Sequence, residues 1–276
     1  MTSGQVIAID GKTLRRSHDK GLGKEAITMV SAWAIANHLV LGQVKVASKS
    51  NEITALPALL AMLEVSGCIV TVDALGTQKE IAEQIIKQGG DYLLAVKENQ
   101  PHLHEDIQLF FKLVKQNDFA KVTHTHKRTV NSGHGRVEVR ECWAISGQES
   151  LAFLRGYGDW PSLQCMVMIT SERRFKEQVE RQTQYFITSV KNDAGTILAA
   201  KRAHWGVENQ LHWVLDVAFR EDDSRVRQGN ADQNLAVMRH MALNLLKHEK
   251  TAKGGIKAKR LQAAWNEDYL VKVLTG

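Results

Sequence analysis

"CIVTVDALGTQKEIAEQIIKQGGDYLLAVK" (Cys68–Lys97) decides the fold class. It opens on a short apolar run, "CIVTVDAL", rich in β-branched residues, which predicts a buried strand with Asp73 near its end. "QKEIAEQIIKQGG" then has apolar residues at helical spacing and stops at paired glycines, as an amphipathic helix does. "DYLLAVK" returns to strand. Working outward, "QVIAID" (Gln5–Asp10) predicts another buried strand with Asp10 at its end. "ITMVSAWAI" (Ile27–Ile35) and "LVLGQVKVA" (Leu39–Ala47) are two further strands, separated by "ANH" at hairpin length, so an antiparallel pair is expected. "NEITALPALLAMLEV" (Asn51–Val65) is expected to be helical with Asn51 as N-cap, and "HLHEDIQLFFKLVK" (His102–Lys115) is helical too. Strands and helices in this order make an α/β protein around a mixed sheet.

The texture changes between about residues 117 and 191. "KVTHTHKRTV", "GRVEVRECWAI", "LQCMVMITSERRF" and "TQYFITSVK" predict four strands joined by turns, a β-rich insertion. The chain thus divides into residues 1–116, the first part of a core; 117–191, the insertion; and 192–276, the remainder of the core. The last part is helical: one long helix through Phe219, a second across "NLAVMRHMALNLLKHE", and a short one near "KRLQAAW".

Size and composition bound the function. The chain has 276 residues, 43% of them hydrophobic, enough for a full core. Its formal net charge of +6 suits a polyanionic partner such as nucleic acid. Cys68, Cys142 and Cys165 are far apart, the usage expected of reduced, buried thiols in a cytoplasmic protein. No apolar run approaches the roughly 18 residues of a membrane span, and the N-terminus lacks the pattern of a signal peptide. "IDGKT" (Ile9–Thr13) ends like a phosphate-binding loop, but the position five before Gly11 is Val6 where that loop needs glycine. Nucleotide-loop binding is excluded, and Lys12 is expected to point at a phosphate or at solvent.

Asp10 and Asp73 stand at strand ends, where α/β sheets bind ligands. Turn capping is an equally good account of either aspartate alone. "HWGVENQLHWVLDVAFREDD" (His204–Asp223) adds a third set of candidates. Residues four apart on a helix drift by about 40°, so His204, Glu208, His212 and Asp216 form one polar stripe. Val207, Leu211, Val214, Leu215 and Ala218 form the apolar face beside it. The stripe fits three readings: an exposed face with His–carboxylate contacts; a zinc site, disfavoured because the histidines are eight apart; or a carboxylate that joins Asp10 and Asp73 around magnesium. Trp205 and Trp213 are expected to pack the helix, with stacking on a base as the alternative, and Glu221, Asp222 and Asp223 to pair with Arg225 and Arg227.

Several long motifs in order then define a resemblance. "AIDGKTLRRS", "VTVDALGTQKEIA" (Val70–Ala82), "GGDYLLAVKENQ" (Gly89–Gln100), "HGRVEVRECW" (His134–Trp143), "AHWGVENQLHWVLDVAFREDDSR" (Ala203–Arg225) and "NLAVMRHMALNLLK" (Asn234–Lys247) span nearly the whole chain. The chain resembles the catalytic region of insertion-sequence DDE transposases of the H-repeat-associated kind.

The resemblance implies an RNase-H-like mixed sheet with flanking helices, and a β-rich insertion before a C-terminal catalytic helix. It implies Asp10, Asp73 and Glu208 as the acidic triad. That triad would hold two Mg²⁺ ions, with Mn²⁺ as a substitute, for DNA strand cleavage and strand transfer. The implied partners are element-end and target DNA, engaged by a homodimer. Candidate DNA contacts are Lys12, Arg15, Arg16, Lys97, Asn99, Arg136, Arg140, His204 and His212, with Lys127, Arg128, Arg173 and Arg174 adding positive charge. The Tyr, Arg and Lys that related enzymes carry around the glutamate are here Lys201, His204 and Leu215. Family members also carry a helical region before the first Asp, whereas this chain has nine residues there. A DNA-binding remnant without catalysis is therefore the alternative expectation.

Overall fold

A computed structural model of the chain describes all residues except 1–3, 20, 22, 48–49, 134 and 176–177. It is a mixed α/β protein with helices flanking its strands. Two compact units share the chain: one of residues 1–6 and 64–203, the other of residues 7–63 and 204–276.

In the second unit, β1 (Val6–Thr13) pairs antiparallel with β2 (Thr28–Ala34), which pairs antiparallel with β3 (Leu39–Lys45). The register sets Ala8 opposite Trp33, Asp10 opposite Ser31 and Lys12 opposite Met29. Side chains two apart on a strand share a face. Ala8, Asp10 and Lys12 therefore line one face of β1, and Ala8 with Trp33 anchors its apolar end. There both pack with Val40, Val207, Leu211, Leu215 and Leu243 in a buried cluster. Gly11 lies on the opposite face, against Glu52: a Cβ at Gly11 would come within 2.3 Å of that carboxylate.

The run expected to be a single helix from Asn51 is instead a 3₁₀ turn (Glu52–Ala55) followed by a short α1 (Leu56–Ala61). Pro57 explains the break. It has no N–H to donate and belongs in the first turn of a helix, so α1 starts beside it. Asn51 makes no side-chain cap. After the helical stretch from residue 204, α7 (Ala231–His248), α8 (Ile256–Trp265) and α9 (Glu267–Thr275) complete the unit.

In the first unit, β4 (Ile69–Val72) and β5 (Asp91–Val96) pair in parallel, with α2 (Lys79–Lys87) between them in sequence. The strand, helix and strand read from the opening stretch thus form a parallel crossover. After α3 (Pro101–Gln116) come β6 (Thr123–Gly133), β7 (Arg136–Ser146), the short α4 (Gln148–Leu151), β8 (Cys165–Phe175) and β9 (Gln178–Thr188). Four strands stand where the sequence reads four. β6 to β9 form an antiparallel ribbon, and β9 closes onto β5, giving the order β4-β5-β9-β8-β7-β6. The inner halves of β7, β8 and β9 are buried under α5 (Ala194–Val207) through Ala194, Ile197, Leu198 and Ala200. All three cysteines are free and buried. Among the described residues no helix is long and apolar enough to cross a membrane.

The turn from α2 into β5 is tight. A Cβ at Gly90 would sit 2.9 Å from the Val65 carbonyl oxygen and 3.2 Å from Ile85 Cγ2. Because the near atom is backbone, it cannot swing away. Gly90→Ala is expected to destabilise the protein by about 1–3 kcal/mol, read as a lower denaturant midpoint at unchanged slope.

Candidate active site

The helix that carries the candidate glutamate is not regular. After α5, residues Glu208–His212 form one π-helical turn, in which the Trp213 N–H donates to the Glu208 carbonyl five residues back, before α6 (Trp213–Phe219) resumes. Single π turns inside α-helices are frequent at functional sites. Regular 100° spacing hides this feature. Leu211, Leu215 and Val207 are still buried, so the apolar face seats the helix as its sequence predicts.

The polar side of this segment meets the polar residues of β1. One ligand atom each from Asp10, Glu208 and His212 lie within 4.8 Å of one another. His212 Nδ1 is 3.7 Å from Asp10 Oδ2, and Asp10 Oδ1 also accepts from the Gly11 N–H at 3.0 Å. Glu208 is exposed and His212 is buried. Burial, with the positive charge of Lys12, lowers the His212 imidazole to about 4. The ring is therefore neutral near pH 7 and offers a lone pair instead of a charge. Two carboxylates and a neutral imidazole, gathered this closely, form a donor set that suits a divalent cation.

Two residues further along the same face of β1, Lys12 turns inward, not towards a phosphate or solvent. Its Nζ is 2.8 Å from Asp216 Oδ1, 2.9 Å from Asp222 Oδ1 and 3.5 Å from Glu221 Oε2. Burial pulls the ammonium down. The hydrogen bonds to Asp216 and Asp222, with the charge of Glu221, outweigh that and hold it above its ordinary value. Glu221 is itself almost wholly buried, which pushes its carboxyl up against the opposing effect of Lys12 and Arg239. The fourth member of the polar stripe, Asp216, is thus spent on Lys12 and lies outside the metal-ligating group.

The acidic run beyond the stripe also pairs differently from expectation. Arg15 reaches Asp222 at 3.2 Å, Arg16 reaches Asp223 at 3.9 Å, and Arg220 reaches Asp223 at 3.0 Å. Arg227 donates instead to the Arg16 carbonyl. Arg220 is a sequence neighbour of Asp223, whereas Arg15 and Arg16 come from just beyond β1, which sequence proximity does not reveal. Trp205 and Trp213 are half or more exposed and do not pack the helix. His204 is half-buried.

Asp73 lies in the other unit. It caps the 3₁₀ turn Ala74–Gly76, its Oδ1 accepting from Leu75 N–H at 3.1 Å and Gly76 N–H at 3.4 Å. Asn99 donates to the Ala74 carbonyl, Gln100 to the Thr77 carbonyl at 2.9 Å, and Thr77 Oγ1 to the Ala95 carbonyl at 2.6 Å. The motif after β5 thus braces the turn that holds Asp73. Lys97 is exposed beside it. Arg136, Arg140 and Arg173 all converge on Glu138. Close to them Lys201 is lowered to about 8, by burial and then by the charges of Arg140 and Arg173. The sequence singles out Lys201 only as a departure from a motif. Its part in a cationic cluster depends on strand pairing.

Residues 2–245 match the Transposase DDE domain family. The chain is 42% identical over 275 residues to YbfL of Escherichia coli (strain K12), and equally to the "H repeat-associated putative transposase YhhI" of the same organism. Each alignment covers 98% of this chain and 71% of the relative. It is 43% identical over 279 residues to "Putative transposase YncI" of Escherichia coli O157:H7, covering all of this chain and 70% of that one. The chain belongs to the DDE transposase family, among its H-repeat-associated members.

Lys12→Met would remove the cation that Asp216, Glu221 and Asp222 share, leaving buried Glu221 with Arg239 alone. A loss of about 3–5 kcal/mol is expected for breaking one partner out of a buried ionic group, measured by chemical denaturation. A second test uses pH. His240, buried on α7, is lowered from 6.5 to about 3, first by burial and then by the charges around it. The unfolded chain then takes up that proton before the folded one. The contribution is complete above pH 6.5 and is lost as pH falls towards 3. His240→Leu should flatten the fall of melting temperature across that range; an equally steep fall would show that other groups control it.

Proposed function

We propose that the chain is a transposase catalytic domain of RNase-H-like arrangement, with Asp10, Asp73 and Glu208 as its catalytic acids. The observation that carries this reading is the approach of Asp10, Glu208 and His212 ligand atoms within 4.8 Å. It joins a residue within β1 to a helical turn about 200 residues later. Family membership and the transposase names of its relatives support the same reading. Residues 117–191 are then the insertion between the second and third acids, and the chain works as a homodimer on DNA in the cytoplasm.

Asp10, Asp73 and Glu208 would hold two Mg²⁺ ions, or Mn²⁺ in their place. When bound, such ions supply Lewis-acid charge for phosphoryl transfer. The protein's own residues supply position. The β1 face and the π turn orient Asp10 and Glu208 together. The backbone N–H groups of Leu75 and Gly76 hold Asp73 by one oxygen. Neutral His212 abuts both Asp10 and Glu208 without adding positive charge. Lys12 draws Asp216 and Asp222 away from the site, so that the ligating carboxylates are few and defined. The reaction is attack of water on a phosphodiester at an element end, releasing a 3′-hydroxyl and leaving a 5′-phosphate on the flanking strand, and then attack of that hydroxyl on a target phosphodiester, which joins it to the target 5′-phosphate and expels the target's 3′-hydroxyl. The exposed arginines of β6 to β9, with Arg15 and Arg16, supply phosphate contacts.

The test is incubation with labelled DNA carrying the ends of the element that encodes the chain, in Mg²⁺ or Mn²⁺. Cleaved and joined products are expected. Asp10→Asn, Asp73→Asn and Glu208→Gln should each lower the rate by roughly 100-fold or more while DNA binding persists. Binding without cleavage would favour the non-catalytic remnant, and cleavage without joining a simple nuclease.

A further inference from the structure

The π turn is held from outside its own helix. Glu208 opens the turn, His212 closes it and Gln210 stands midway. A turn closed five residues back interrupts the regular helical ladder, and such breaks persist where another group inserts a hydrogen bond. Lys247 of α7 supplies one: its Nζ donates to the Gln210 carbonyl at 2.9 Å. The same ammonium lies over the Trp33 ring of β2, 4.1 Å from its centroid. Trp33 is fully buried, in the cluster that holds Val207, Leu211 and Leu215.

Three residues earlier on the same face of α7, Asn244 ties the helix to β3. Its Oδ1 accepts from the Val40 N–H and its Nδ2 donates to the Val40 carbonyl, both at 2.9 Å. This face of α7 is thus fixed to the sheet by Asn244 and reaches past Trp33 to the π turn with Lys247. The setting of the lysine is costly. It is half-buried, and among the described residues no carboxylate pairs with it; its contacts are an indole face and a carbonyl oxygen. Burial, and then the charge of Lys250, pull the ammonium down to about 8. A methionine of similar length would pack there without the desolvation of a charge. Packing alone therefore gives no reason for a lysine at this position, whereas the π turn gives one.

We propose that Lys247 is a positioning residue for the candidate active site: by holding the Gln210 carbonyl it maintains the π turn, and with it the direction in which Glu208 and His212 face Asp10. It acts through the backbone between them and not by meeting substrate or metal. Without its donor the helical segment keeps its apolar seat on Val207, Leu211 and Leu215 and its anchor at Asp216. The loss then falls on the aim of two side chains and not on folding. The proposal rests on reading Asp10, Glu208 and His212 as a metal-ligating group.

The experiment compares the full chain with its Lys247→Met and Lys247→Arg variants. Amide hydrogen exchange reports the turn, because the Trp213 N–H closes it on the Glu208 carbonyl. Titration with Mn²⁺, followed by electron paramagnetic resonance, reports the ligating group, and urea denaturation reports the fold. In Lys247→Met the Trp213 amide should exchange about tenfold faster and Mn²⁺ should bind about tenfold more weakly, the loss of one hydrogen bond from a charged donor. The denaturant midpoint should stay at or above that of the parent chain. Lys247→Arg keeps a cationic donor and should return both values towards the parent's. Unchanged exchange at Trp213, unchanged Mn²⁺ affinity, or a midpoint that falls in step with both would each overturn the proposal, the last by making Lys247 a part of the fold only. The two readings separate in the parent chain. If it binds no Mn²⁺, the metal reading fails and the site that Lys247 aims fails with it, while the exchange rates still show whether Lys247 holds the turn.

Discussion

A lysine ammonium drawn into three carboxylates is the constraint on which the second unit depends. Lys12 lies on the same face of β1 as Ala8 and Asp10, and each of the three meets a different part of the facing helical segment. Ala8 meets Val207, Leu211 and Leu215, Asp10 meets Glu208 and His212, and Lys12 meets Asp216 and the turn beyond it. Apolar packing alone would let the helix slide along the strand. The buried ionic group penalises any slide, because displacement separates Glu221 and Asp216 from the lysine that compensates their burial. Register between strand and helix is thereby set, and with it the approach of Asp10 to Glu208.

The π turn is the complement of that constraint. A helix pinned at Asp216 and seated by its apolar face has little freedom to aim Glu208 and His212. One wider turn at Glu208–His212 changes the direction of those side chains without moving either anchor. The irregularity falls on the residues proposed for catalysis, where local distortion is tolerated because packing on both sides holds it. In the first unit, a comparable economy operates around Asp73, whose turn is held by its own carboxylate and by Asn99, Gln100 and Thr77. Asn99 and Gln100 lie in the motif after β5, so part of its content is structural bracing.

Much of the fold was legible because periodicity reports local conformation. The stretch from Cys68 to Lys97 read as strand, helix, strand and folds that way. The apolar side of His204–Phe219 was correctly assigned from spacing alone. Where the structure departs from periodicity, the cause is physical. Pro57 broke a helix that apolar spacing suggested. The π turn left no mark on a 100° projection. Trp205 and Trp213 were expected to be packed because aromatic side chains usually are, yet the buried stripe of Val207, Leu211 and Leu215 leaves them on the outer side. Glu221, Asp222 and Asp223 were matched with near neighbours in sequence, whereas Lys12, Arg15, Arg16 and Arg239 reach them from elsewhere in the unit.

The sequence by itself determined most of the strands and helices, which faces are apolar, and that carboxylates stand at the end of β4 and on one helix; Asp10, expected at a strand end, lies inside β1, which runs on to Thr13. Tertiary structure decided which of those carboxylates meet. Asp216 and Glu208 are equivalent on a helical projection, and Asp10 and Lys12 are equivalent on a strand face. Only the packing of one element on the other sends Asp216 to Lys12 and Glu208 to Asp10. The physical reason is range. Side-chain periodicity follows from backbone geometry within a few residues, whereas desolvation and ion pairing depend on partners about 200 residues away whose positions exist only once the core has formed.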